Sequence, residues 1–216
     1  MNKLPDTNIQ KILQILALTY PDAHCELNYS NPFELLVATI LSAQTTDKKV
    51  NETTPYLFPE YHCAFLFSQI PLLELENKIR KLGLYKVKAK NLIETSKIIA
   101  NQYNGKVPCT MEELIKLPGV GRKTASVVLI NAFHIPAFPV DTHVTRVSNR
   151  LGLVCDKKPD KIEKQLTLII PKELWSITHH QLIWHGRRLC KAKKPECSNC
   201  PLAEYCPTWA HDYGYV

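Results

Sequence analysis

Apolar positions recur every three or four residues along almost the whole chain, the pattern of helices packed by one face. Ile9, Ile12, Leu13 and Leu16 mark a first amphipathic helix. The stretch SNPFELLVATILSAQ (30–44) starts a second. Asn31 reads as its N-cap, Pro32 as its first helical residue and Glu34 as the capping-box partner. That helix is apolar on nearly every face, which predicts a central place in the core.

LLELENKIRKLG (72–83) predicts a helix stopped by Gly83, and VKAKNLIETSKIIANQYNG (87–105) one ending at Asn104-Gly105. TMEELIKL (110–117) opens with Thr110 and Glu113, a second capping box. KTASVVLINAF (123–133) puts Ala125, Val128, Leu129, Ala132 and Phe133 on one face, and THVTRVSNRLG (142–152) stripes Val144, Val147 and Leu151. PDKIEKQLTLII and TLIIPKELWSITHHQLIWHGRRLC supply two or three more. No stretch alternates with period two and no internal repeat stands out, so the expected class is all-α.

A chain of 216 residues that is 45% hydrophobic can bury a real core. No run approaches the ~20 apolar residues of a membrane span. The N-terminus lacks a small-residue cleavage pattern, so the expected location is the cytoplasm. Lys and Arg total 27 against 20 Asp and Glu. That excess suits a polyanionic partner, and equally an unspecialised basic surface.

The stretch LPGVGRKTA (117–125) sharpens the choice. The pattern is helix, tight turn, helix, with the hairpin spanning about 110–133. The peptide N–H groups of Gly119, Val120 and Gly121 precede a helix, so they are expected to be free to bind an anion such as a DNA phosphate. A plain connector with a Gly turn is the competing reading. Lys123 follows Arg122 at the start of that helix. Positive neighbours favour a free amine, the form that attacks an electrophilic carbon. Its ordinary alternative is a contact to phosphate or water.

Asp141 stands directly before a helix, where it is a favoured N-cap. A carboxylate held in that way also stays ionised and fixed. It could stabilise charge developing on a sugar or help deprotonate a nucleophile. A direct ion pair with Lys123 would oppose activation, so the two are expected near each other across a cleft without a tight salt bridge.

Of eight cysteines, four are scattered singly and four crowd together as Cys190-x6-Cys197-x2-Cys200-x5-Cys206. In a reducing compartment such a group binds metal more often than it forms disulfides. The spacing lacks the two close pairs of most structural zinc sites and can wrap a [4Fe–4S] cube, with zinc left as the alternative. Arg187, Arg188, Lys191, Lys193 and Lys194 surround it, in part to offset thiolate charge and in part as a phosphate-binding patch.

Taken together, LPGVGRKTA, VDTHV (140–144) and the cysteine spacing resemble the endonuclease III family of bifunctional DNA glycosylases in the helix–hairpin–helix superfamily. ELNYSNPFELLVATILSAQTTD and LGLYKVKAKN are similar to family segments as well, so the likeness runs from about residue 8 to Cys206. The resemblance implies two helical lobes with a DNA cleft between them. Residues 24–136 would form a helical barrel carrying the hairpin. Residues 1–23 and 137–216 would form a discontinuous iron–sulfur domain with its cluster loop at 190–206.

The resemblance further implies removal of oxidised pyrimidines from duplex DNA and strand cleavage 3′ to the lesion by β-elimination. Lys123 would be the nucleophile and Asp141 its assistant. Cys190, Cys197, Cys200 and Cys206 would hold one [4Fe–4S] cluster. Gln44 would fill the hole left by the flipped base and Leu84 would wedge between bases. Gly119, Val120, Gly121, Arg122, Lys191 and Lys194 would complete the DNA contacts. Duplex DNA with damaged pyrimidines or abasic sites is the expected partner of a nucleoid-associated monomer. A mismatch adenine glycosylase shares hairpin and cluster but lacks the lysine at this position. A non-catalytic DNA-binding iron–sulfur carrier or sensor is the alternative; it would need the cysteines but not Lys123 or Asp141.

Overall fold

The computed structural model describes residues 5–213, and they contain helices and turns without a strand. In chain order the α-helices are α1 (Asp6–Thr19), α2 (Pro32–Leu41), α3 (Asp47–Thr53), α4 (Ala64–Ser68), α5 (Leu72–Lys78) and α6 (Tyr85–Gln102). Then come α7 (Met111–Leu114), α8 (Arg122–Ala132), α9 (Thr142–Arg150), α10 (Pro159–Ile169), α11 (Trp175–Arg188) and α12 (Pro207–Tyr213). The all-α class expected from periodicity is the class observed.

Internal packing divides the chain into two units. Glu26–Ile135 form one, and the residues through Cys25 together with those from Pro136 onward form the other. In the first, every residue of α2 from Phe33 to Leu41 is buried. Helices α6 and α8 pack on α2, and α4 and α5 pack on α6. The Asn31 side chain accepts the Glu34 N–H at 2.9 Å, the cap read from sequence. The buried Glu34 carboxylate accepts the N–H of Ser30 at 2.6 Å, one residue earlier than a standard box. A buried carboxylate without such a donor would cost several kcal/mol.

In the second unit, Ile12 and Leu16 of α1, Val144 and Val147 of α9, Ile162 and Leu166 of α10 and Leu182 of α11 share one core. A side chain at Gly186 of α11 would stand 3.1 Å from Arg146, His143 and Val147 on α9. A larger residue there would push those neighbours back by a few tenths of an ångström, so glycine suits the close approach of α9 and α11.

Several elements differ from the sequence expectation. α5 ends at Lys78, five residues before Gly83, because Ile79 and Leu82 turn inward to the core. α7 keeps a single turn that buries Leu114, with Leu117 and Val120 buried beyond it. Helices α3, α4 and α12 lie outside the stretches that the apolar pattern marks. α3 does carry a signal, since the Thr46 hydroxyl caps it and Asp47 sits in its first turn.

Candidate active site and metal centre

The hairpin turn is held from three sides. Gly119 adopts φ +78°, and a Cβ there would meet Asn91 of α6 at 3.0 Å. Thr95 of α6 donates its hydroxyl to the Pro118 carbonyl at 2.8 Å. The Val120 N–H donates to the Leu117 carbonyl at 3.1 Å, and Val120 is buried. That corrects the expectation of three free donors: Val120 serves the turn itself. No backbone carbonyl takes the N–H of Gly119 or Gly121 among the described residues, and both are exposed.

Gly121 is the N-cap of α8 at φ −88°, with nothing within 4 Å of where a Cβ would stand. Its backbone is one any residue adopts, so the protein's own packing does not demand glycine there. Arg122 and Lys123 are the first two residues of α8, both exposed at its positive end.

In the same unit Gln44 and Leu84 share an unusual property. Their φ angles are +53° and +57°, the left-handed region that costs a residue with a side chain about 1–2 kcal/mol. Both are exposed, Leu84 by 53% despite being apolar. Strain of this kind persists where the surroundings over-determine it, and it clusters at binding sites.

In the other unit Asp141 caps α9, its Oδ1 accepting the Val144 N–H at 2.8 Å while the residue stays half-buried. Burial holds the neighbouring His143 below the usual imidazole range, against the opposing pull of Asp141. That burial favours an uncharged His143 beside the Asp141 carboxylate.

The cysteine loop runs over two single-turn 3₁₀ segments, Cys197–Asn199 and Ala203–Tyr205. Cys190, Cys197, Cys200 and Cys206 all line one cavity of about 180 Å³, with Leu151 and Trp209 among its other walls. No three potential ligands among the described residues converge on a point that would suit one bare ion. Four sulfurs around a cavity suit a cluster instead.

Donors face those sulfurs. Backbone N–H groups of Leu202 and of Thr208 and Trp209 bond Cys200 and Cys206 respectively, and Arg150 Nη1 lies 3.4 Å from Cys190 Sγ. His185 Nε2 is 3.6 Å from Cys200 Sγ, while its Nδ1 is 3.1 Å from the Tyr20 hydroxyl. A Tyr20 O–H donated to Nδ1 would fix the tautomer that presents Nε2–H to sulfur. Burial, with the repulsion of the other three cysteines behind it, pushes the Cys200 thiol up to about 11. Iron that binds there therefore displaces protons. The donor set fits a [4Fe–4S] cluster.

Two supports of that loop escape sequence reasoning. Arg146 Nη2 donates to the Gly186 carbonyl at 2.9 Å and Nε to the Cys190 carbonyl at 3.1 Å. Arg150 Nη1 donates to the Lys191 carbonyl at 2.8 Å, and its own carbonyl accepts the Thr208 hydroxyl at 2.8 Å. The only signal is their i,i+4 spacing on α9. Of the basic residues around the loop, Lys191 pairs with Glu196 at 2.5 Å and Arg188 stacks on Trp184 at 3.9 Å. Lys194 is exposed at φ +51°. So Gln44, Leu84, the hairpin, Arg122 and Lys123 belong to one unit, and Asp141, the four cysteines, Lys191 and Lys194 to the other.

An all-helical chain with a glycine hairpin and a four-cysteine loop defines a class. Residues 37–172 match the HhH-GPD superfamily of base excision DNA repair proteins. Residues 190–206 match the iron-sulfur binding domain of endonuclease III. The chain belongs to the endonuclease III family. It is 52% identical over 189 residues to endonuclease III of Bacillus subtilis (strain 168), covering 87% of this chain and 86% of that one. Against endonuclease III of Escherichia coli (strain K12) the figure is 42% over 196 residues, covering 91% and 93%.

A solved non-covalent endonuclease III–DNA complex superposes with a TM-score of 0.93 at 49% identity, over 98% of this chain and 100% of that one. A trapped endonuclease III–DNA covalent intermediate superposes at 0.92 and 50%, over 96% and 98%. A thermostable thymine-DNA glycosylase, 22% identical, shares the fold at 0.86 over 95% and 98%. No helix among the described residues is long and apolar enough to cross a membrane.

Proposed function

We propose that Lys123 is the nucleophile of a DNA glycosylase that also cleaves the strand, with Asp141 assisting it. The chain is a base excision repair glycosylase and lyase with one [4Fe–4S] cluster. The observation that supports Lys123 is its place: exposed, second in α8, directly after a turn with two N–H groups that no backbone carbonyl takes. Those donors hold a phosphate of duplex DNA without reading a base. The substrate class is oxidised pyrimidines, flipped out of the stack before attack.

Nζ of Lys123, as free amine, attacks C1′ of the sugar. The C1′–N bond to the base breaks, and the base leaves with the bonding pair and takes up a proton. Loss of a proton from nitrogen and opening of the sugar ring give an imine joining Lys123 to C1′. Asp141, ionised and held by the Val144 N–H, stabilises positive charge as the base departs and accepts the amine proton. Removal of a C2′ proton expels the 3′ phosphate, and water hydrolyses the imine and restores the amine. When bound, the cluster supplies the bonds that give the loop from Cys190 to Cys206 one shape. In that shape Lys191 and Lys194 meet the DNA backbone, Lys191 from an exposed pair with Glu196, and Gln44, Leu84 and Arg122 complete the grip.

We assign residues 24–136 to the hairpin-bearing lobe and residues 1–23 with 137–216 to the cluster domain of a monomer. It works at the nucleoid in the cytoplasm. Borohydride reduction on an abasic duplex tests the nucleophile. Wild type is trapped covalently and Lys123→Gln is not; trapping of the variant at the wild-type level moves the nucleophile elsewhere. Failure of wild type to trap would instead favour a DNA-binding carrier or sensor.

A further inference from the structure

One stripe of α6 touches the loops of its own unit to which the proposed grip assigns DNA. Leu84 is the N-cap of α6, and Lys88, Asn91 and Thr95 follow at the spacing that places residues above one another on a helix. Asn91 and Thr95 hold the hairpin turn. Lys88 is the one of the four that the function has not used.

Its burial is the anomaly. Lys88 is 4% exposed, and lysine is almost never buried without a partner. Its ammonium donates to the Leu41 carbonyl at 2.8 Å and to the Thr45 hydroxyl at 2.9 Å, with no carboxylate in ion-pair range among the described residues. Burial pulls its pKa down, so the position is held at a cost. A methionine would fill such a space without that cost. What the ammonium provides is a tie between two elements. Leu41 ends α2, where carbonyls lack helical partners and the dipole is negative. Thr45 lies on the far side of Gln44. The two acceptors bracket the residue whose backbone is strained. A Cβ on Gly83 would stand 3.5 Å from the Gln44 carbonyl, so the Gln44 and Leu84 loops already lie against each other.

We propose that Lys88 is a positioning residue for lesion recognition, fixing the Gln44 loop in register with Leu84 before DNA arrives. This rests on the reading that Gln44 and Leu84 enter the duplex. Without the ammonium, segment 42–45 loses its anchor, and each encounter with DNA must order it again.

The test is a double-mutant cycle on a duplex with one oxidised pyrimidine. Lys88→Met lowers kcat/KM about tenfold, chiefly through KM, and in a Gln44→Ala background the same change costs only about twofold. Trapping on a single-stranded abasic oligonucleotide, which has no partner strand to hold open, stays at the wild-type level. Thr45→Val, which removes one acceptor and no charge, gives a smaller loss with the same coupling. It carries the test if Lys88→Met does not fold. Full additivity in the double variants, or unchanged kcat/KM in Lys88→Met, overturns the proposal. If Gln44→Ala and Leu84→Ala are both silent, the DNA contacts themselves are misassigned and Lys88 loses its role with them.

Discussion

The turn from Ile115 to Gly121 and the loop from Leu189 to Cys206 are both irregular, and both present charge at the surface. Their anchoring differs. The turn is fastened by the chain's own groups: Gly119 at positive φ, the Val120 N–H on Leu117, Thr95 on Pro118, and buried Leu117 and Val120. The cysteine loop has two single-turn 3₁₀ segments and one fully buried apolar side chain, Leu202. Much of its remaining fastening comes from Arg146 and Arg150 and from whatever joins the four sulfurs. A segment that closes on its own contacts keeps its shape with or without a cofactor. One that encloses a cavity borrows its shape from what fills it.

The strongest way to break that contrast is to take the cluster away. Cys200→Ser should lose the broad visible absorbance and at least about 4 kcal/mol of stability, the worth of a site filled a thousandfold above its dissociation constant. Hydrogen exchange should then accelerate across 189–206 and remain slow across 115–121. Equal acceleration in both segments would erase the distinction. A colourless preparation of the wild type containing zinc would replace the cluster outright.

Asp141→Asn comes next, since asparagine keeps the cap. Turnover on a lesion duplex should fall about a hundredfold with melting temperature and DNA affinity nearly unchanged. Preserved turnover would make Asp141 a cap and nothing more.

Acid probes the cysteine-bearing unit in a third way. Burial, helped by His24 and Arg187, holds His180 down to about 4. Above pH ~6.5 both folded and unfolded chains carry it neutral. Between ~6.5 and ~4 the unfolded chain takes up a proton that the folded one refuses, so stability falls by up to about 3 kcal/mol. Burial also holds His185 down to about 4, so urea unfolding at stepped pH should show both losses, and His180→Asn should remove about half of the slope. An unchanged slope in the variant would assign the acid lability to another group.

The two glycines of the hairpin give the smallest effects and the finest discrimination. Gly119→Ala should cost about 1–2 kcal/mol of folding stability, because φ is positive and Asn91 is close. Gly121→Ala should leave stability within about 0.5 kcal/mol, since nothing stands near. It should still weaken binding to an abasic duplex about tenfold, roughly one lost charge-assisted contact. Wild-type affinity in Gly121→Ala would mean that no phosphate reaches that corner.

Much of this architecture is legible from local pattern. The wholly apolar run from Phe33 to Leu41 announces a central helix, and Asn31 and Asp141 announce their caps. The crowding of Cys190 to Cys206 announces a metal loop. What the pattern hides depends on partners distant in sequence. Ile79 and Leu82 look like helix continuation until the core draws them into turns. Val120 looks like a free donor until Leu117 turns back to it. Lys88 reads as one more surface lysine, because nothing near it in the chain indicates Leu41 and Thr45. Arg146 and Arg150 look like solvated charge until the carbonyls of Gly186 and Lys191 come into reach.

The unit built from the two ends of the chain also has a timetable. Ile12 and Leu16 of α1 share their core with Leu182 of α11, and Tyr20 meets His185. A ribosome adding about 5–20 residues per second reaches Trp175 roughly eight to thirty seconds after Tyr20. Only over about the last quarter of that interval is the intervening unit, Glu26–Ile135, complete enough to fold, while the first helix waits all along with its apolar face uncovered. A segment made well before its partners is thus among the last to be packed. A chaperone that shields Ile9, Ile12 and Leu16 during translation would act on yield without touching the finished molecule.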